Sequence, residues 1–141
     1  MKKVDSISGQ VVGAAIRVHR RFGPGLFESV YTPCLAHELI AQGLEVEVQK
    51  PLSIEHEGMT IQRAFVIDMV VEGLVIVEIK SIAHLAPIHT AQIMTYLRLT
   101  GLEVGLIINF NVQRLIDGLE RVVNNYDVPS DADGVRGDTG E

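Results

Sequence analysis

The chain has 141 residues, 47% of them hydrophobic, a single cysteine (Cys34) and a formal net charge of −6. That length suits one domain with a sizeable core, and one cysteine excludes an internal disulfide framework or a cysteine-based zinc cluster. Asp127, Asp131, Asp133, Asp138 and Glu141 against Arg136 put −4 of the total at the C-terminal end, leaving a nearly neutral body whose first 21 residues carry +4; this permits nucleic-acid binding but counts against a processive or long-footprint enzyme.

The first residues lack the apolar stretch of a secretion signal, and no run approaches the ~20 residues of a membrane span; the expected setting is a reducing cytoplasm. From Ser6 or Ser8, a plausible cap, Ile7, Val11, Val12, Ala15, Ile16 and Phe22 recur at helical spacing. Gly23-Pro24-Gly25 ends that helix. A second helix is predicted from Phe27 to Gln42, with Val30, Leu35, Leu39 and Ile40 inward and Pro33 in its early turns. Strands follow over 44–50 and, past Pro51, over 52–56. A long strand over 60–71 turns at Glu72-Gly73 into another over 74–80. Residues 87–99 read as a helix stopped by Gly101, and 104–110 as a central strand covered on both faces. Leu115 to Val123 is predicted to be a final helix. Residues 1–126 are expected to form one domain, and 127–141 a disordered acidic tail. The order is that of an α/β or α+β sheet flanked by helices.

Three charges interrupt the most apolar segments: Asp68 in Phe65–Val71, and Glu78 with Lys80 in Leu74–Lys80. Burying an unpaired charge costs several kcal/mol or more. Side chains alternate along a strand, so Glu78 and Lys80 share a face. If Asp68 lies on the neighbouring strand, two carboxylates and an ammonium converge, a set suited to a divalent cation and a phosphate ester. The structural alternative is a buried ion pair that satisfies itself.

Asp68 followed ten residues on by Glu78-Ile79-Lys80 resembles the PD-(D/E)XK signature of restriction-endonuclease-like nucleases. Gly25-Leu26-Phe27-Glu28-Ser29-Val30-Tyr31 resembles the G-x-x-E-x-x-Y motif of the GxxExxY protein family. His89-x-x-Gln92-x-x-x-Tyr96-Leu97, Thr100-Gly101 and Gly105-Leu106-Ile107-Ile108-Asn109-Phe110 resemble its later blocks. The likeness covers about residues 7–125. It implies a central mixed β-sheet flanked by helices, with an αβββαβ core. It also implies metal ligation by Asp68 and Glu78, a catalytic Lys80, and Glu28 as an additional acidic residue near metal or water. An Arg two residues before the strand Asp is also implied, where this chain has Val66, with Arg63 off that register.

Two helix faces leave alternatives. Glu28 and Tyr31 are three apart; Glu28 is either at the site or a favourable charge in a first helical turn, with Tyr31 core-facing. His89, Gln92 and Tyr96 line another face. Gln92 is expected at the site, with Tyr96 supporting it; an internally satisfied polar seam is the alternative. His19, His37, His56 and His84 share no ligand spacing and are expected at the surface. Cys34 reads as a small hydrophobe. Arg17, Arg20 and Arg21 suit either a nucleic-acid backbone or a solvated helix end. The expected function is hydrolysis of phosphodiester bonds in DNA or RNA with Mg²⁺ or Mn²⁺. The partner is nucleic acid, DNA first, with a homodimer as one way to supply two sites. The alternative is a nuclease-fold binding or regulatory module with little turnover.

Overall fold

The computed structural model describes residues 3–124. Its core is a five-stranded sheet in the order β1 (Val46–His56), β2 (Met59–Val71), β3 (Val75–Lys80), β4 (Val104–Asn109) and β5 (Leu119–Val123). Only β3 and β4 run parallel. They are joined through helix α3 (Pro87–Thr100), the helical crossover that parallel neighbours require. Helices α1 (Lys3–Phe22) and α2 (Glu28–Ala41) precede the sheet. The result is the α+β restriction-endonuclease-like arrangement, a mixed sheet between helices. Among the described residues no helix is long and apolar enough to cross a membrane.

Each helix buries an apolar stripe against the sheet. Val4, Ile7, Val11, Ala14, Ala15 and Val18 of α1 join Tyr31, Leu35 and Leu39 of α2 against Met69, Val77, Ile79, Leu106, Ile108 and Phe110. On the other face, Ile93, Tyr96 and Leu97 of α3 pack on Ile67, Val70, Ile76, Ile107 and Val122. Covered on both sides, β4 is buried throughout. Val30 and Ile40, expected inside, are instead exposed, as is Phe22 at the end of α1. Tyr31, Thr32 and Ala36 complete the inner stripe of α2 with Leu35 and Leu39.

Four further sequence expectations change. Helix α1 starts at Lys3, and Ser8 donates its hydroxyl to the Asp5 carbonyl inside the helix instead of capping it. The segments on either side of Pro51 form one strand, because β1 is a sheet edge, where a missing N–H is tolerated. His19 is buried, with Nε2 2.8 Å from the Val112 carbonyl and its ring tilted against Phe110.

The fourth change is the C-terminal element. Residues 115–123 form a short 3-10 helix (Leu115–Gly118) followed by β5. Pairing β5 along β4 satisfies main-chain groups that would otherwise be orphaned on a buried strand. Gly118 makes that turn possible: a Cβ there would sit 2.1 Å from the Asn109 carbonyl oxygen. The acidic tail expected from residue 127 lies outside the described residues.

Gly118→Ala must displace backbone, so we expect a loss of about 1–3 kcal/mol, read as a lower denaturant midpoint at unchanged m-value. Gly9→Ala, in α1 with open space around the new methyl, should instead gain up to about 1 kcal/mol. Equal effects of the two substitutions would contradict this account.

Candidate active site at the parting of two strands

The β2–β3 ladder pairs Val71 with Val75, Val70 with Ile76 and Met69 with Val77, and then stops. Asp68 and Glu78 occupy the next position. There the carboxylates take over the ladder's work. The Asp68 N–H donates to Glu78 Oε1 at 3.2 Å, and the Ile79 N–H donates to Asp68 Oδ2 at 2.8 Å. The faces of β2 also exchange here: Ile67 and Val70 both pack on the α3 side, whereas Met69 and Val71 pack on the α1–α2 side. Strand β1 is irregular opposite the same point, with Gln49 at φ 54° and no partner across from Asp68. The strand therefore bends at Asp68, which directs its side chain toward β3.

Glu78 is only 7% exposed. Burial, and then the negative charge of Asp68, push its carboxyl from the ordinary 4.5 up to about 8. Burial also raises Asp68, while the Ile79 N–H, a hydrogen bond from Glu78 and the Lys80 ammonium pull it back. Without a cation the pair favours one shared proton, held by the more deeply buried Glu78. Lys80 follows on the same strand face, half-buried, and its charge lowers both carboxyls.

The end of β3 is fixed from three directions. Ser81 donates its N–H to Glu28 Oε2 at 3.0 Å and its hydroxyl to the Leu26 carbonyl at 2.6 Å. Phe110 N–H donates to the Lys80 carbonyl. Asn109, 2% exposed, accepts from the Ile82 and Asn111 N–H groups and donates to the Ile82 carbonyl. Neither Ser81 nor Asn109 stands out in the sequence by type. The available signals were a lone amide closing an otherwise apolar strand and a hydroxyl directly after the Glu-x-Lys triplet.

The Gly25, Glu28 and Tyr31 spacing acquires a physical account. Gly25 adopts φ +107°, which a side chain would resist. Tyr31 is buried and stacked on Phe110, with centroids 4.3 Å apart. Its hydroxyl donates to the Gly23 carbonyl at 2.5 Å and accepts from the Leu26 N–H at 3.2 Å. Tyr31 thus clamps the loop that delivers Glu28 to Ser81. The Glu28 charge also reaches Asp68, raising its carboxyl, and Glu28 and Asp68 line one open cavity of about 430 Å³ with Thr32, Val48 and Gln49.

From the other face, α3 brings Tyr96. Its ring meets Phe65 edge-on at 5.4 Å. Burial, then the charges of Glu78 and Asp68, raise its hydroxyl pKa, which places that hydroxyl in their field. Gln92, one turn earlier, is exposed and has no hydrogen-bond partner among the described residues. His89 is a cap: its Nδ1 accepts from the Ala86 N–H at 2.9 Å. Val66 pairs with Pro51 in the β1–β2 ladder, and Arg63 is exposed farther along the hairpin. Arg17 is paired with Glu38 at 3.0 Å.

Among the described residues no group of three or more His, Cys, Asp or Glu side chains is placed to hold a metal ion. The donors at hand are two carboxylates, which fits Mg²⁺, an ion that keeps several waters and uses one or two carboxylates. A desolvated acid pair with raised pKa values is also one that a cation would relieve.

No curated protein and no solved structure matches the chain significantly. The sequence profile of the PD-(D/E)XK nuclease superfamily matches residues 5–122, which takes in all but the first two residues of α1, all of α2 and of β1 to β4, and most of β5. With that span matched and with Asp68, Glu78 and Lys80 at the parting of β2 and β3, the chain belongs to the PD-(D/E)XK nuclease superfamily.

Proposed function

We propose that this protein is a divalent-metal-dependent nuclease hydrolysing phosphodiester bonds in nucleic acid, DNA first and RNA second, and that it stands with the GxxExxY proteins of its superfamily. The observation that carries this reading is the pair of carboxylates set between two strands, Glu78 buried and Asp68 half-buried, with a lysine beside them. Asp68 and Glu78 would hold Mg²⁺ or Mn²⁺. Bound there, the ion supplies polarisation of a phosphoryl oxygen and acidification of the attacking water.

The chain's own groups do the rest. Lys80, fixed at its carbonyl by Phe110 N–H, offsets negative charge that builds on the phosphoryl oxygens. Glu28 adds charge on the α2 side and orients water toward Asp68. Tyr96, in the field of both carboxylates, donates to a phosphate oxygen or a water, and Gln92 offers its amide to the substrate from the rim. A symmetric pair of chains would bring two sites to nucleic acid. A nuclease-fold binding module without turnover draws on one feature: each carboxylate already accepts a main-chain N–H.

Labelled DNA or RNA should be cut when Mg²⁺ or Mn²⁺ is present and spared in EDTA. Asp68→Ala should abolish cutting, and Lys80→Ala should lower kcat by about 10²–10³ with the fold intact by circular dichroism. Undiminished cleavage by both variants would sink the assignment. Calorimetric metal binding without cleavage by the wild type would favour the binding module. Glu28→Gln, which can still accept the Ser81 N–H but lacks the charge, separates positioning from electrostatics. We expect about a 10–100-fold loss of activity; full activity would reduce Glu28 to a strut.

The raised carboxyls also fix a pH dependence. A folded-state pKa above the unfolded value gives stability that is complete below about 4.5 and is lost as pH rises through about 8. The metal-free protein should therefore lose up to about 1.4 kcal/mol per pH unit in that window from this group. Mg²⁺ should raise the melting temperature most at the alkaline end. Glu78→Gln should flatten the profile and remove the metal effect; an unchanged profile in that variant would contradict the assignment.

A further inference from the structure

The corner between α1 and α2 carries side chains that the proposed chemistry leaves unused. Arg20, Arg21 and Phe22 close α1, Phe27 stands directly before α2, and all four are exposed. Phe27, at 79%, is the most exposed large hydrophobic side chain among the described residues. The Arg21 guanidinium lies over the Phe22 ring, 5.8 Å from its centroid. Arg17 and Arg121 are paired with Glu38 and Asp5, but Arg20 and Arg21 have no acidic partner among the described residues. In a chain of net charge −6, residues 20–27 carry two cations and no acid.

A single exposed apolar residue needs no explanation. This one is held in place at an end of the molecule that matters. The Phe27 carbonyl accepts from the Val30 and Tyr31 N–H groups, and the adjoining Leu26 is fixed through both its N–H and its carbonyl. The next residue, Glu28, binds the Ser81 N–H beside Lys80. The backbone is therefore fixed while the ring stays in water. Cationic side chains interleaved with aromatic faces are how proteins hold single strands: phosphates meet the charges, and bases stack on the rings.

We infer that residues 20–27 form a platform for unpaired nucleic acid, in which Phe27 stacks on a base near the phosphate at Lys80 while Arg20 and Arg21 take neighbouring phosphates. The inference rests on the nuclease reading and deepens it: the substrate is a strand with unpaired bases, and an intact duplex is a poor one. A single site suffices for such a strand.

The test is fluorescence anisotropy in EDTA with a labelled short oligonucleotide, as single-stranded DNA, as single-stranded RNA and as a duplex, followed by cleavage of the same three in Mg²⁺. The wild type should bind and cut the single strands in preference to the duplex. Phe27→Ala should weaken single-strand binding by about 5–150-fold, Phe27→Leu should behave like it, and Phe27→Trp should restore binding. The double variant Arg20→Ala/Arg21→Ala should reduce the slope of log K against log salt by about 1.4. Preference for the duplex, or wild-type single-strand affinity in Phe27→Ala, overturns the platform while Asp68- and Lys80-dependent cleavage keeps the nuclease reading. A wild type that neither binds nor cuts any of the three overturns both.

Discussion

A sheet satisfies its main chain by pairing strands, and here the pairing gives way at one position where two acids stand in for it. Asp68 and Glu78 each accept an N–H that the opposite strand would ordinarily claim. The arrangement removes the usual objection to burying a carboxylate, because each acid is hydrogen-bonded on one side. Burial still outweighs those hydrogen bonds and the nearby charge of Lys80, which is why both carboxyls are raised. The fold tolerates the site because the site completes the fold.

Around that parting the structure spends its polar groups on rigidity. Tyr31 clamps the loop before α2, Ser81 ties that loop to β3, and Asn109 ties β4 to the segment leading into α3. The loop before α2 and the end of β4, both remote in sequence, are thereby fixed to one strand end, and Lys80 sits among them with little freedom left in its backbone. Preorganised charge of this kind is effective because it needs no rearrangement when charge develops on a substrate.

Much of this was readable from the residues. Charges at Asp68, Glu78 and Lys80 were conspicuous because everything around them was apolar, and the seven-residue interval from His89 to Tyr96 put Tyr96 on the helix face that meets the sheet. The final element was misread because Leu115, Leu119 and Val122 fit a helical period as well as a short strand, and only the need of β4 for a partner decides between them. His19 looked like a surface residue because its partner, the Val112 carbonyl, is 93 positions away. The bend at Asp68 and the partners of Ser81 and Asn109, up to 55 positions away, depend on tertiary contacts, and the local pattern marks only the residues themselves.

The irregular outer strand has a consequence of its own. A sheet that ends in a long open strand offers a template on which another chain can add, and that is a route to aggregation. Strand β1 breaks the template twice within three residues: Gln49 turns left-handed, and Pro51 has no N–H to offer. The opposite border, β5, is five residues long and turns Glu120 and Arg121 to solvent. Both margins therefore discourage strand addition, and the same bend that turns Asp68 toward Glu78 helps keep the sheet from growing.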